Sequence, residues 1–138
     1  MNTRERIQEL YLALQSALPQ YPVFLNEVGR IQRNTVHSVE DALSQEGVAI
    51  IVCARVTTRM PRANAKSVGI RVLSVPIEIR TQQLDHKRVP SVSDILDQIE
   101  PVLIQLGDLI SNWELVEAGE YENKPGWGFI RVNHQYVI

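Results

Sequence analysis

At 138 residues, with 44% hydrophobic and 22% charged positions, the chain has the composition of a single globular domain and is short for two. No apolar run approaches the roughly 20 residues needed to cross a bilayer, and one cysteine, Cys53, excludes an internal disulfide or a cysteine-built zinc cage. The formal net charge of −2 is too small to name a nucleic acid or a membrane as partner.

The start of the chain, Met1-Asn2-Thr3-Arg4, leads into alternating charged and apolar residues, which argues against a signal peptide. Ile7, Leu10, Tyr11, Leu14 and Leu18 recur at three- and four-residue steps, predicting an amphipathic helix over Thr3 to Leu18. Asn2 is its expected cap, with Glu5 reaching back as in a capping box. Pro19 and Pro22 end it. A short extended segment is expected within Tyr21 to Val28, where Val23 and Leu25 alternate with Phe24 and Asn26. Ser38 then caps a short helix through Leu43, closed by Gly47 in a left-handed position.

Val48 to Thr58 is the clearest strand. Its first half is apolar on both faces, which predicts a central place in a sheet with cover on part of each side. A second long strand is expected from Val68 to Thr81, with Leu73, Val75, Ile77 and Ile79 on one face. Pro76 requires either a bulge there or an outward-turned edge. Between the strands, Arg59 to Ser67 has no periodicity and reads as a hairpin tip. A compact chain of this length is about 37 Å across. A strand of roughly 14 residues would run about 46 Å, so the hairpin is expected to project beyond its own domain.

Val89 to Leu106 carries the second main helix, capped by Ser91 or Ser93 and ended by Gly107. Pro101 interrupts the pattern and is expected to kink or divide it. A final hairpin joins Trp113–Glu117 to Trp127–Ile138 through a polar turn at 122–126, with Ile130, Val132, His134, Tyr136 and Ile138 on one face. Hairpin-linked strands with two helices on one face predict an α+β domain over residues 1–138, built on a mostly antiparallel sheet. The strands 48–56 and 73–79 are its expected core, covered by Ile7, Leu10, Leu14, Ile95, Ile99 and Leu103.

Candidate chemistry is sparse. His37, His86 and His134 have no ligand or base at motif spacing and read as surface or satisfied histidines. Cys53, set among apolar residues, reads as a small buried hydrophobe. Asp94 and Asp97 share a helical face but sit where carboxylates serve the helix N-terminus. Gly126 and Gly128 flank Trp127 at a hairpin turn, not at a phosphate-binding crossover. The expectation is therefore no enzyme, no metal and no cofactor.

Charge is segregated along the chain. Arg55, Arg59, Arg62, Lys66 and Arg71 form a basic stretch with no acidic residue, and the stretch 94–122 carries eight acidic residues and no basic one. Such poles suit a contact with a second copy or with an oppositely charged partner, and they also suit two solvated faces. The basic stretch could touch phosphates, but it lacks the aromatic residues or recognition helix of sequence-specific readers.

The amphipathic first helix, Asp41-Ala42-Leu43 leading into Gly47-Val48-Ala49-Ile50-Ile51-Val52, the two long strands with their tip, the helix and the closing hairpin together resemble a known family. In length and order they are similar to the tail-terminator or tail-completion proteins of tailed bacteriophages, including the minor tail proteins of Mu-like prophages. The resemblance spans nearly the whole chain. It implies a subunit of a hexameric ring on the head-proximal end of the tail tube, which stops polymerisation and offers the head-joining surface. It also implies self-association, contacts with tail tube and neck or connector proteins, and assembly in the bacterial host cytoplasm into a virion tail or tail-like particle. No catalytic residue is carried over. On this reading Arg55, Arg59, Arg62, Lys66, Arg71, Glu114, Glu117, Glu120, Glu122, Tyr136 and Ile138 form the subunit and partner interface, with a non-specific contact to passing DNA. A head–tail neck or adaptor protein, a small nucleic-acid-binding module and a small enzyme are the competing expectations.

Overall fold

The computed structural model describes residues 3–26, 38–53, 57–59, 72–106, 112–120 and 127–137. In chain order the elements are α1 (Thr3–Ala17), β1 (Val23–Leu25), α2 (Val39–Gln45), β2 (Val48–Val52), β3 (Thr57–Arg59), β4 (Val72–Gln82), α3 (Val92–Leu106), β5 (Asn112–Glu120) and β6 (Trp127–Val137). The class is α+β, as the element order predicts. One sheet runs β1-β2-β4-β6-β5, with β3 also paired to β4. Every pairing is antiparallel except β1 with β2, which the sequence reading did not anticipate. The helix α2 connects those two parallel strands, as a crossover must.

Alternation along the strands builds two unequal layers. Val23, Val48, Ile50, Val52, Val75, Ile77, Ile79, Ile130 and Val132 join Ile7, Leu10, Leu14 and Leu18 of the α1 segment and Ile95, Ile99 and Leu103 of α3 in one cluster. Both main helices therefore cover one sheet face, and they also pack on each other. On the other face, Phe24, Ala49 and Ile51 meet Val39, Ala42 and Leu43 of α2. This double cover explains why all five β2 residues are buried and why the strand reads as apolar on both faces.

Pro76 lies inside β4, which has partners on both sides, so the edge alternative is overturned. The register shows how the proline is accommodated. Ile77 pairs with Val52 and Ser74 with Thr57, so three steps along β4 match five on the opposing side. The opposing side thus has two residues more than β4 across Pro76, whose carbonyl still accepts from the Cys53 amide at 2.9 Å. The expected strand Val48–Thr58 is accordingly two strands, β2 and β3. The expected tip, Arg59 to Ser67, starts one residue too early, since Arg59 pairs with Val72 as the last residue of β3; residues 60–71, and with them the projection, lie outside the described residues.

Pro101 does not divide α3, which is one α-helix from Val92 to Leu106 with the proline on its exposed side. There the lost amide bond frees a carbonyl that water can reach. The helix begins three residues later than the apolar pattern suggests, because Ser91 caps it by accepting from the Asp94 amide at 3.2 Å. Ser38 caps α2 in the same way, accepting from the Asp41 amide at 3.1 Å. Asn2, the expected cap of α1, lies outside the described residues. The strand β5 is longer than expected, running from Asn112 to Glu120.

Gly47 ends α2 with φ +78°, and its amide donates to the Ala42 and Leu43 carbonyls at 3.0 and 3.1 Å. Its carbonyl accepts from Gln82 at 2.8 Å, tying the helix end to the end of β4. A Cβ here would stand 2.4 Å from Val89 Cγ2 and 2.7 Å from the Gln82 carbonyl oxygen. Gly47→Ala should therefore lose roughly 2–4 kcal/mol in urea melts, combining left-handed strain with overpacking. Leu14→Ala and Ile50→Ala, each at a fully buried site, should cost about 2–5 kcal/mol in the same assay.

Candidate functional site

Of the residues singled out for partner contacts, the described ones lie on β3, β5 and β6. The strand β5 pairs with β6 alone among the described residues and so forms one edge. It holds Glu114 opposite Asn133, Glu117 opposite Arg131 and Glu120 opposite Gly128, with a register shift between Leu115 and Glu117. Charge and a bulge are two devices that keep an edge from indiscriminate pairing. On the far side, β3 pairs with β4 alone and holds Arg59 opposite Val72. Two strands, β4 and β6, separate these outer strands, a span of about 14 Å at the usual strand spacing. Tyr136 takes a position in β6 opposite Leu73. Arg55, Arg62, Lys66, Arg71, Glu122 and Ile138 lie outside the described residues.

An ion cluster that the sequence reading missed occupies the sheet face opposite α1 and α3. Glu78 of β4 is buried, yet its carboxylate meets the Arg80 guanidinium on its own strand and Arg131 Nη2 of β6 at 3.4 Å. Arg131 stands directly opposite Glu78 in register, and Glu117 of β5 stands opposite Arg131. The row therefore reads acid, base, acid across three strands. The signal was present as a two-residue spacing, Glu78 and Arg80 sharing a face, but only strand pairing brings in a residue 53 positions away.

On the helix face the outlier is His134, fully buried opposite Val75 in a row otherwise filled by Ile130 and Val132. Burial, with the positive charge of Arg6 on α1 adding to it, lowers its pKa from 6.5 to about 4. Arg6 is itself held by Glu9 one turn further on, at 3.7 Å. His86 is exposed and His37 lies outside the described residues. Cys53 is half-buried at the end of β2, against the Phe24 cluster. Asp94 and Asp97 are both exposed on α3.

Among the described residues, no three of His, Cys, Asp and Glu converge as metal ligands, and no helix is long and apolar enough to cross a membrane. Among the described residues, Leu12 of α1 and Ile104 of α3 are the large apolar side chains left in solvent. No family model matches the sequence, and no curated protein matches it. The described residues thus offer two sheet flanks of opposite charge, Arg59 on β3 and Glu114, Glu117 and Glu120 on β5, and a charged sheet face.

The buried imidazole has a consequence for stability. A histidine held neutral in the fold stabilises it fully above the unfolded value of 6.5. That contribution is lost as pH falls from 6.5 towards 4, where the unfolded chain binds a proton and the folded one does not. The difference is on the order of 3 kcal/mol. Denaturant melts at pH 7.5 and 4.5 should show a loss of that order in the native chain and a clearly smaller one in His134→Leu.

Proposed function

We propose that the protein is a structural subunit of a cyclic homo-oligomer, a ring of the phage tail-terminator type that caps the head-proximal end of a tail tube. The observation that supports this reading is that β3, with Arg59, and β5, with Glu114, Glu117 and Glu120, each pair with one strand among the described residues and lie on opposite sides of β4 and β6. A two-fold dimer joined at either edge would set like charges against each other. A head-to-tail interface sets the basic edge of one copy against the acidic edge of the next, and such an interface closes into a ring when its rotation allows. The long order of elements that resembles the tail-terminator family supplies the rest of the proposal: six subunits, partners in the tail tube and the neck, and a place in a virion tail. The role is structural, with no catalytic step.

Native mass spectrometry at rising concentration tests the ring, and a closed species of six copies is the expected result. The double reversal Arg59→Glu with Arg62→Glu should leave the circular dichroism of the folded chain unchanged while shifting the oligomer towards monomer. Added salt should weaken the native oligomer in the same direction, since screening acts within about 10 Å at 0.1 M. A strict monomer at high micromolar concentration would overturn the reading. A variant that assembles normally but loses only DNA binding would move the basic stretch to a nucleic-acid role.

A further inference from the structure

We propose that the open edge of β5 is the docking surface for the β3 edge of a second copy of this chain, the two strands pairing through their backbones so that the sheet runs on from one subunit to the next. The inference rests on the oligomeric part of the reading above, and it is independent of any role in a tail.

Strand direction comes first. Both β3 and β6 run antiparallel to β4, and β5 runs antiparallel to β6, so β5 runs with β4 and against β3. Continuing the sheet into a second copy without inverting it sets β5 of one copy antiparallel to β3 of the next. That is the more stable of the two ladder types. No strand outside β5 or outside β3 competes for either edge among the described residues.

Charge then decides between partners. The stretch from 89 to 123 contains no lysine or arginine, and β5 brings Glu114, Glu117 and Glu120 to its edge. Two copies of β5 paired about a two-fold axis would line up acid with acid, which opposes that pairing. The β3 edge carries Arg59 within a basic stretch from Arg55 to Arg71 that has no acidic residue. It is the complementary edge.

Register adds a geometric condition. Arg59 stands level with Val72 of β4, whereas Glu114 stands, through Asn133, level with Pro76. Bringing Arg59 and Glu114 together therefore needs a stagger of four β4 positions, about 13 Å, along the strands. A stagger of this kind is what a sheet needs when it closes on itself.

Two measurements on the full chain test the proposal. In a Cys53→Ser background, the pair Arg59→Cys and Glu114→Cys should give a disulfide ladder of dimers, trimers and higher species on oxidation, while neither single cysteine gives dimers. In the unaltered chain, which avoids any folding defect of the variants, the amides of residues 112–120 should exchange at least about tenfold more slowly in the concentrated oligomer than on dilution. Oligomers that form without that protection and without the ladder would overturn strand pairing and leave the ring reading standing. Dimers from Glu114→Cys alone would overturn it in favour of a two-fold edge. A chain monomeric at every concentration would overturn both readings together.

Discussion

The fold depends on keeping water from one row of side chains, Val75, Ile77 and Ile79 on β4, all fully buried. β4 is the strand with the most partners. It pairs with β2 and β3 on one side and β6 on the other, and its row continues into Ile50 and Val52 on β2 and Ile130 and Val132 on β6. Full burial of such a residue contributes roughly 1.5–3 kcal/mol, and that gain exists only if the face is roofed. A helix is about 10 Å wide, and four to five strands span about 20 Å. One helix cannot cover the row and its neighbours. Two can, and the Gln98 side chain, donating to the Tyr21 hydroxyl at 3.2 Å, is one point where α3 meets the end of the α1 segment.

The opposite face follows a different economy of burial. The seven-residue α2 covers the β1–β2 corner, where Phe24, Ala49 and Ile51 are apolar, and also approaches β4. Beyond that corner the described strands turn polar, with Arg80 and Arg131 both donating to the Glu78 carboxylate. A buried carboxylate flanked by two guanidinium groups is satisfied without a roof, whereas either arginine left alone beside an apolar neighbour would not be. Among the described residues, the β5 edge carries charge and a register shift, two devices that shield an edge.

Helices and core were legible in the sequence because periodicity reports burial directly. Leu10, Leu14, Ile95, Ile99 and Leu103 are spaced as one face demands, and all are buried. The two-sided run Val48–Val52 announced its central position for the same reason. Pairing partners were not legible. The parallel match of Val23–Leu25 with Ile50–Val52 leaves no mark on a three-residue strand, and the Glu78–Arg131 contact joins residues whose spacing is arbitrary until β6 is laid beside β4. His134 looked like any isolated histidine, since alternation places it on the helix side but does not reveal that a helix carries Arg6 above it. Of the contact residues, only the charge pattern could be read, and the sheet order that sets Arg59 and Glu114 on opposite flanks is a property of topology.

The place of β6 between β4 and β5 bears on how the chain is made. During synthesis, residues 72–82 and 112–120 emerge before the strand that joins them, so neither can complete its ladder on that side until 127–137 has left the ribosome. The closing step brings together residues as distant in sequence as Val72 and Val137. Contacts of such range lower the folding rate, because the entropy of the closed loop must be overcome before the ladder stabilises it. In that interval the inner flank of β4 is an open template for the wrong strand, so a nascent chain has most need of a chaperone between the appearance of α3 and the insertion of β6.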